Sequence, residues 1–380
     1  MKPISMLIAL ENGLVSDPNR VISTGFSYAY AGGRPITDSH GCTSMRVSEV
    51  IERSSNIGMT KVITGDNSIY HRDPSQFYKS LEAISFFKPL NTGIAGERTP
   101  VIEKNPSRIS LSRMCYGYAT MIPPIYTLAI YNAIANDGVF VRPRLYSELL
   151  REDSVPTVIP VSVVDTICTP RNAAILRDML RSVVEGEHGT GKRLRNPLVN
   201  IAGKTGTCYM VDPKTHQYNT GRKRLAFCGF FPAEKPKYSC IVLTCHPKQN
   251  MFGAASTSGQ VMKNIAMKMF SRGLLDNVSD FRVDTQAPKG ASPKFYHTST
   301  TDTYRHSATI TGYQCRSAAK QATSEGIVPD VSGLGLREAV VAIERAGYNV
   351  AFEGRGCVNS QRPQAGQQLR RGSTVIIRLI

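Results

Sequence analysis

Three groups of residues in this chain could carry chemistry. Lys204-Thr205-Gly206-Thr207 follows the largely apolar stretch Val199-Asn200-Ile201-Ala202-Gly203. Read as a strand, the stretch alternates its side chains with period two, so Lys204 and Gly206 share one face. Gly206 has no side chain, and something extended can lie flat against the backbone there. A cation, two hydroxyls and, on an edge strand, free backbone N–H groups make a site for a carboxylate-bearing peptide. The second group is Ser54-x-Asn56, a hydroxyl and an amide two residues apart. The third is Lys2, at the head of an apolar helical stretch.

Each group also has a plainer reading. Lys-Thr-Gly-Thr can be an ordinary turn. Gly203-Lys204-Thr205 mimics the end of a phosphate loop, but that pattern needs a glycine at position 198, which is Leu198. Gly189-Thr190-Gly191-Lys192 fails as well, because Arg193 follows the lysine. Ser54 and Asn56 can simply cap a helix, and Lys2 can be a solvated terminus. Cys208, beside the strand site, reads as packing, with a reactive thiol as the lesser alternative.

Bulk properties narrow the classes. The 380 residues allow two or three domains, and 41% hydrophobic content suits a sizeable core. The formal charge of +17 is scattered along the chain. Such a chain can face nucleic acid or an anionic envelope. Without aromatic–basic interleaving or zinc-finger spacing, nucleic acid is not expected. Nine cysteines without a C-x-x-C pair support neither a disulfide framework nor a metal site; Cys228 and Cys240 could bridge neighbouring strands, but read better as buried free thiols. No His-Glu-x-x-His appears, and no run of 18 apolar residues could span a membrane. No secretory signal is visible. Taken literally, these features describe a soluble, cytoplasmic chain.

The elements that must position the three groups follow from periodicity. Lys2 to Asn12 reads as a helix with Ile4, Leu7 and Ile8 on one stripe and Gly13 as its stop. No capping residue precedes Lys2, and a core helix opening there implies a domain that begins earlier. Ser44 is expected to cap a second helix, with Val47, Val50 and Ile51 inward, ending near Ser54. A short helix from Met59 to Ile63, one begun by Asp73-Pro74, one over Ile125 to Asp137 and a longer one opened by Thr169-Pro170 follow. Leu225 to Phe231 and Tyr238 to Cys245 read as a hairpin antiparallel to the Lys204 strand. The helix from Gln260 to Arg272 shows Val261, Ile265 and Met269 at helical spacing. Composition then shifts: 14 of the 50 residues from Asp276 to Glu325 are Ser or Thr, which reads as a linker. A small module closes the chain, with a helix carrying Leu336, Ala339, Val340 and Ile343 and strands at Tyr348 to Phe352 and Thr374 to Leu379. The expected domains are 1–275, a linker 276–325, and 326–380.

In order and type, Lys2, Ser54-x-Asn56 and Lys204-Thr205-Gly206 resemble the S-x-x-K, S-x-N and K-T-G motifs of penicillin-binding proteins and serine β-lactamases. Flanking segments sharpen the resemblance to class B penicillin-binding proteins: Ala9-Leu10-Glu11-Asn12-Gly13, Arg53-Ser54-Ser55-Asn56-Ile57-Gly58, Ala135-Asn136-Asp137-Gly138 and Phe227-Cys228-Gly229-Phe230-Phe231-Pro232. The tail, with Val328-Pro329-Asp330-Val331 and Ser360-Gln361-Arg362-Pro363, resembles a PASTA domain. One departure stands out. The serine of S-x-x-K would lie three residues before Lys2, ahead of Met1. Ser5 cannot replace it, because it follows the lysine. The resemblance therefore implies a transpeptidase domain cut within its first motif.

The resemblance implies an α/β fold, an antiparallel sheet flanked by helices and lacking its first strands, with the PASTA module after the linker. It implies acyl transfer from D-Ala-D-Ala stem peptides of peptidoglycan, with β-lactams acylating the same serine. Lys2 would be the general base, its proton destabilised by burial or by the Lys204 cation. Ser54 would relay a proton, Asn56 would hold Lys2 and the substrate amide, and Thr205 and Thr207 would bind the carboxylate. The Thr207 N–H would donate to the oxyanion. No cofactor and no metal are implied. Implied partners are stem peptides, β-lactams and divisome or elongasome proteins, including a glycosyltransferase. The parent would be membrane-anchored with this domain periplasmic or extracytoplasmic. The chain itself is expected to be inactive for want of the serine; the alternative is a non-catalytic module that binds muropeptides or β-lactams.

Overall fold

The computed structural model describes residues 1–149, 157–211, 218–247, 253–275, 326–354 and 356–380. The residues read as a linker, 276–325, lie outside this set. Two compact units are present, Met1–Asn264 and Ile265–Ile380.

Helix α1 (Lys2–Glu11) runs through the core of the first unit, with every residue from Pro3 to Leu10 buried. A helix apolar on all sides has no solvent face to offer, so it must sit inside. Pro3 fits its first turn, where no N–H is needed. Gly13, at φ +70°, turns the chain away from the helix end.

The region expected to form one helix capped by Ser44 is built differently. Ser44–Arg46 is a strand, paired antiparallel with Val21–Ser23. Its burial alternates, Met45 inward between two exposed neighbours, and this period of two prevails over the capping signal. The helix α2 (Glu49–Glu52) starts later and buries Val50 and Ile51. Helix α3 spans Asn56–Thr64, three residues earlier at its start than Met59, because Ser55 caps it by accepting the Gly58 N–H at 2.7 Å. Helices α4 (Ile69–Arg72), α5 (Ser75–Ala83), α6 (Arg108–Met114) and α7 (Pro124–Ala135) follow. Helix α8 (Pro170–Glu185) buries Leu176, Met179, Leu180 and Val183 as one stripe; Thr169 caps it and Gly186 ends it.

Strands β1 (Ala202–Val211), β2 (Tyr218–Phe231) and β3 (Tyr238–Cys245) form an antiparallel sheet in that order. Lys204 pairs with Cys228, Thr205 with Phe227 and Gly206 with Ala226. A Cβ on Gly229 would run into the Ala202 carbonyl, so the two strands meet closely where the Lys204 segment begins. Helix α8 packs on β1 and α7 packs on β2 and β3. Among the described residues β1 pairs only with β2, leaving its other edge open.

Helix α9 (Gln260–Ser271) buries Met262, Ala266 and Phe270, whereas Val261 and Ile265 are 47% and 38% exposed. Apolar residues occupy both of these neighbouring rows, and periodicity alone points to either; the inward face is one residue on from the expected one. In the terminal module, α10 (Leu336–Arg345) accompanies β4 (Asn349–Glu353), β5 (Val358–Arg362) and β6 (Thr374–Leu379). Strand β6 lies between β4, to which it is parallel, and β5, to which it is antiparallel. The sequence reading missed β5, which carries one buried residue, Val358. Cys228 and Cys240 are free thiols, as expected, but only Cys228 is buried and Cys240 is half-buried; Cys357 is disulfide-bonded.

Candidate active site

The first turn of α1 delivers Lys2 to the loop between α2 and α3. Its Nζ donates to Ser54 Oγ at 3.3 Å and stands 5.9 Å from the centre of the Tyr116 ring. Burial lowers the Lys2 pKa to about 8, against the pull of the Asp38 carboxylate, which favours the ammonium. Ser5, on the same helix, is fully buried and donates to the Cys115 carbonyl at 2.7 Å.

Ser54 holds a left-handed backbone, φ +59°, at the sharp turn that separates α2 from α3. A serine there is uncommon. Asp38 supports the turn: one carboxylate oxygen accepts the Asn56 N–H at 2.5 Å and the Ile57 N–H at 3.2 Å, and the other accepts Ser55 Oγ–H at 2.5 Å. A carboxylate at the N-terminus of α3 satisfies otherwise orphaned N–H groups and meets the positive end of the helix dipole. The Asn56 side chain does not hold Lys2 as expected: it donates to the Thr37 carbonyl at 3.1 Å, while Lys2 donates to Ser54. Sequence reasoning missed Asp38, which lies 17 residues before Ser55 on a separate ribbon and has no spacing signature.

Lys204 is only 6% exposed, and its Nζ donates to Thr205 Oγ1 and to the Thr205 carbonyl, both at 3.2 Å. Burial, and then the Lys2 charge, hold its pKa well below the ordinary lysine value. The two lysines thus share one electrostatic site, although for Lys2 itself burial is the main cause of the fall. A Cβ on Gly206 would stand 3.5 Å from the Ala226 Cβ, an ordinary contact, so packing within the protein does not demand glycine there. What glycine provides is a clear surface over the strand. Thr207 and Cys208 are exposed beyond it. A cleft of about 490 Å³ continues from Cys208 and Met210 toward Val101, Met121 and Arg224.

Thr205 Oγ1 also lies 2.9 Å from Thr190 Oγ1, a second residue the sequence reading did not single out. Thr190 sits in the turn after α8. There the buried Glu52 accepts the His188 N–H at 2.7 Å through its carboxylate and the Thr190 N–H at 3.3 Å through its carbonyl. Three sequence-distant groups therefore converge: Lys2 with Ser54 directly, Lys204 with Thr205, and the two pairs through charge. This arrangement can take a proton through a lysine of lowered pKa and attract an anion to hydroxyls beside a second lysine.

A family model described as the penicillin binding protein transpeptidase domain matches residues 1–267, and one described as the PASTA domain matches residues 326–379. The chain is 28% identical over 267 residues to penicillin-binding protein PbpB of Mycolicibacterium smegmatis, covering 68% of this chain and 40% of that protein. It is 26% identical to peptidoglycan D,D-transpeptidase FtsI of Escherichia coli, covering 69% and 41%. A crystal structure of penicillin-binding protein 3 from Mycobacterium tuberculosis in complex with aztreonam superposes with TM-score 0.62 at 25% identity, covering 72% of this chain and 62% of that one. The transpeptidase domain of penicillin-binding protein 3 from Burkholderia pseudomallei superposes with TM-score 0.57 at 26% identity, covering 70% and 77%. The chain spans about 40% of the length of these curated relatives. With its transpeptidase match over residues 1–267 and its PASTA match after it, the chain belongs to the class B penicillin-binding proteins.

Proposed function

We propose that the chain is part of a peptidoglycan D,D-transpeptidase, which transfers an acyl group from a D-Ala-D-Ala stem peptide to an amine of a second stem. The observation that carries this reading is the Lys2–Ser54 hydrogen bond within electrostatic reach of Lys204 and Thr205. The attacking serine of the S-x-x-K motif, three residues before its lysine, would lie on the same helix face as Lys2. Lys2 takes its proton as the hydroxyl attacks the scissile carbonyl. Ser54 passes that proton to the leaving D-alanine amine, and the incoming amine reverses the sequence. Lys204, Thr205 and Thr207 hold the substrate carboxylate, the Thr207 N–H faces the oxyanion, and Asn56 stands at the substrate amide. At a pKa of about 8, about a tenth of Lys2 is the free base at pH 7, against roughly 0.03% for an ordinary lysine.

The relatives named for D,D-transpeptidation support the reaction. The aztreonam complex of a related protein supports β-lactams as ligands. The envelope is the matching location, with a basic chain against an anionic polymer and with divisome or elongasome partners, including a glycosyltransferase, around it. Among the described residues no helix is long and apolar enough to cross a membrane. A second reading, reversible binding of muropeptides or β-lactams, draws on the Lys204–Thr207 segment, whose anion-binding groups all lie within these 380 residues.

Fluorescent penicillin on a denaturing gel separates the two. The 380-residue chain and a version preceded by its upstream codons are labelled side by side. Label on the longer chain alone is expected. Label on neither favours reversible binding. Label on the 380-residue chain would place the nucleophile elsewhere and remove Lys2 from its role.

A further inference from the structure

We propose that Thr190 is a positioning residue for substrate binding: its hydroxyl can donate to Thr205 Oγ1 and so free the Thr205 O–H for the carboxylate of an arriving acyl-D-Ala-D-Ala peptide or β-lactam. The proposal rests on the reading of the Lys204 strand as a carboxylate anchor.

The hydroxyl of Thr205 has one proton and two lone pairs. Lys204 Nζ donates to one lone pair at 3.2 Å. Thr190 Oγ1, at 2.9 Å, can act either way. With the strand edge empty, Thr205 donates to Thr190. When an anion arrives, the Thr205 proton turns to it, and Thr190 donates into the second lone pair. Thr205 then accepts from Lys204 and Thr190 and donates to the ligand, with no hydrogen-bonding capacity left over. Without a hydroxyl at 190, Thr205 lacks its partner in both states.

The turn that carries Thr190 is held from several sides. Besides the two Glu52 contacts, the Gly191 N–H donates to the Val183 carbonyl at 2.8 Å. A Cβ on Gly186 would strike the Glu52 carboxylate, and one on Gly189 the Val183 carbonyl. Glu52 lies two residues before Ser54. The same clamp therefore fixes the Ser54 loop and the Thr190 hydroxyl relative to one another, and through Thr190 reaches the Lys204 strand. A turn held this firmly keeps its hydroxyl in place before a ligand arrives, which is where preorganisation improves affinity.

The test uses the chain preceded by its upstream codons and follows acylation by fluorescent penicillin over a concentration series. Thr190→Val should raise the half-saturating concentration about three- to tenfold, the range for one neutral hydrogen bond. The limiting rate and the melting temperature should be unchanged, and Thr190→Ser should restore the wild-type value. An unchanged half-saturation in Thr190→Val, a fall in the limiting rate alone, or a serine variant as impaired as the valine variant overturns the proposal. Should no variant be acylated, the transpeptidase reading fails, and the side-chain torsion of Thr205 decides the positioning role by itself. Measured by NMR couplings in the 380-residue chain, it should change in Thr190→Val and not in Thr190→Ser; an unchanged torsion in Thr190→Val overturns the proposal.

Discussion

Lys204 is buried and Lys2 half-buried, and holding two lysines there costs stability. Lys204 is buried with no carboxylate against it among the described residues, and its folded pKa lies well below the unfolded value. The unfolded chain therefore binds more protons across that window, and stability rises with pH until about 10.5, where the unfolded group also loses its proton. Lys2 acts in the same direction from about pH 8 upward. Lys204→Met should stabilise the fold at pH 7 by about 1–3 kcal/mol and flatten the rise toward pH 10, measured as urea midpoints across that range. The same variant should lose penicillin binding; a variant less stable than wild type at pH 7 would contradict the account. In a version extended to place a serine three residues before Lys2, the acylation rate should climb through pH 8 as Lys2 is freed of its proton, and a profile flat from pH 6 to 9 would remove Lys2 as the base. Lys204, Thr205 and Gly206 were legible because their types and order are chemical in themselves. Asp38 and Thr190 were not, because each acts through a contact that exists only after folding.

At the scale of elements, sequence patterns succeeded where one signal dominated. Helix α8 has a cap, a single stripe and a glycine end, and α1 carries its Ile4, Leu7 and Ile8 stripe into the core. They failed where two signals competed. Ser44 looks like a cap yet belongs to a strand, since Met45 pairs with Ile22 and points inward. Helix α9 has two apolar rows, and only packing chooses between them. The short α3 bears on the proposed function, because its N-terminus follows the Ser54 turn. Asp38→Ala should cost about 1–2 kcal/mol, the usual worth of a helix cap, read as a shift in the denaturation midpoint. It should also reduce acylation by loosening Ser54; a midpoint unmoved by the change would mean that Ser55 caps α3 unaided. On β1, Gly206→Ala meets only an ordinary contact within the protein. Stability should therefore stay within about 0.5 kcal/mol while β-lactam binding falls. Equal losses in both would show that the glycine serves packing.

At the scale of the whole molecule, composition shifts after Leu275, whereas the two compact units divide at Asn264 and Ile265, and the family matches cover 1–267 and 326–379. Helix α9 crosses the boundary between the two compact units, with Met262 buried before it and Phe270 after it. A chain that ends after residue 275 should keep its melting temperature, whereas one that ends after residue 264 should lose several degrees through the broken helix. Equal melting temperatures would make the second half of α9 dispensable. The open edge of β1 has one more consequence. A substrate strand laid there would find the same backbone groups that the edge of another copy could use. Nature cannot blunt this edge with a proline or a covering loop without also evicting the ligand. Self-association and substrate should therefore compete for one seam, and a saturating peptide ligand should delay turbidity in concentrated solutions of the protein, a protection that a peptide without its terminal carboxylate should not give.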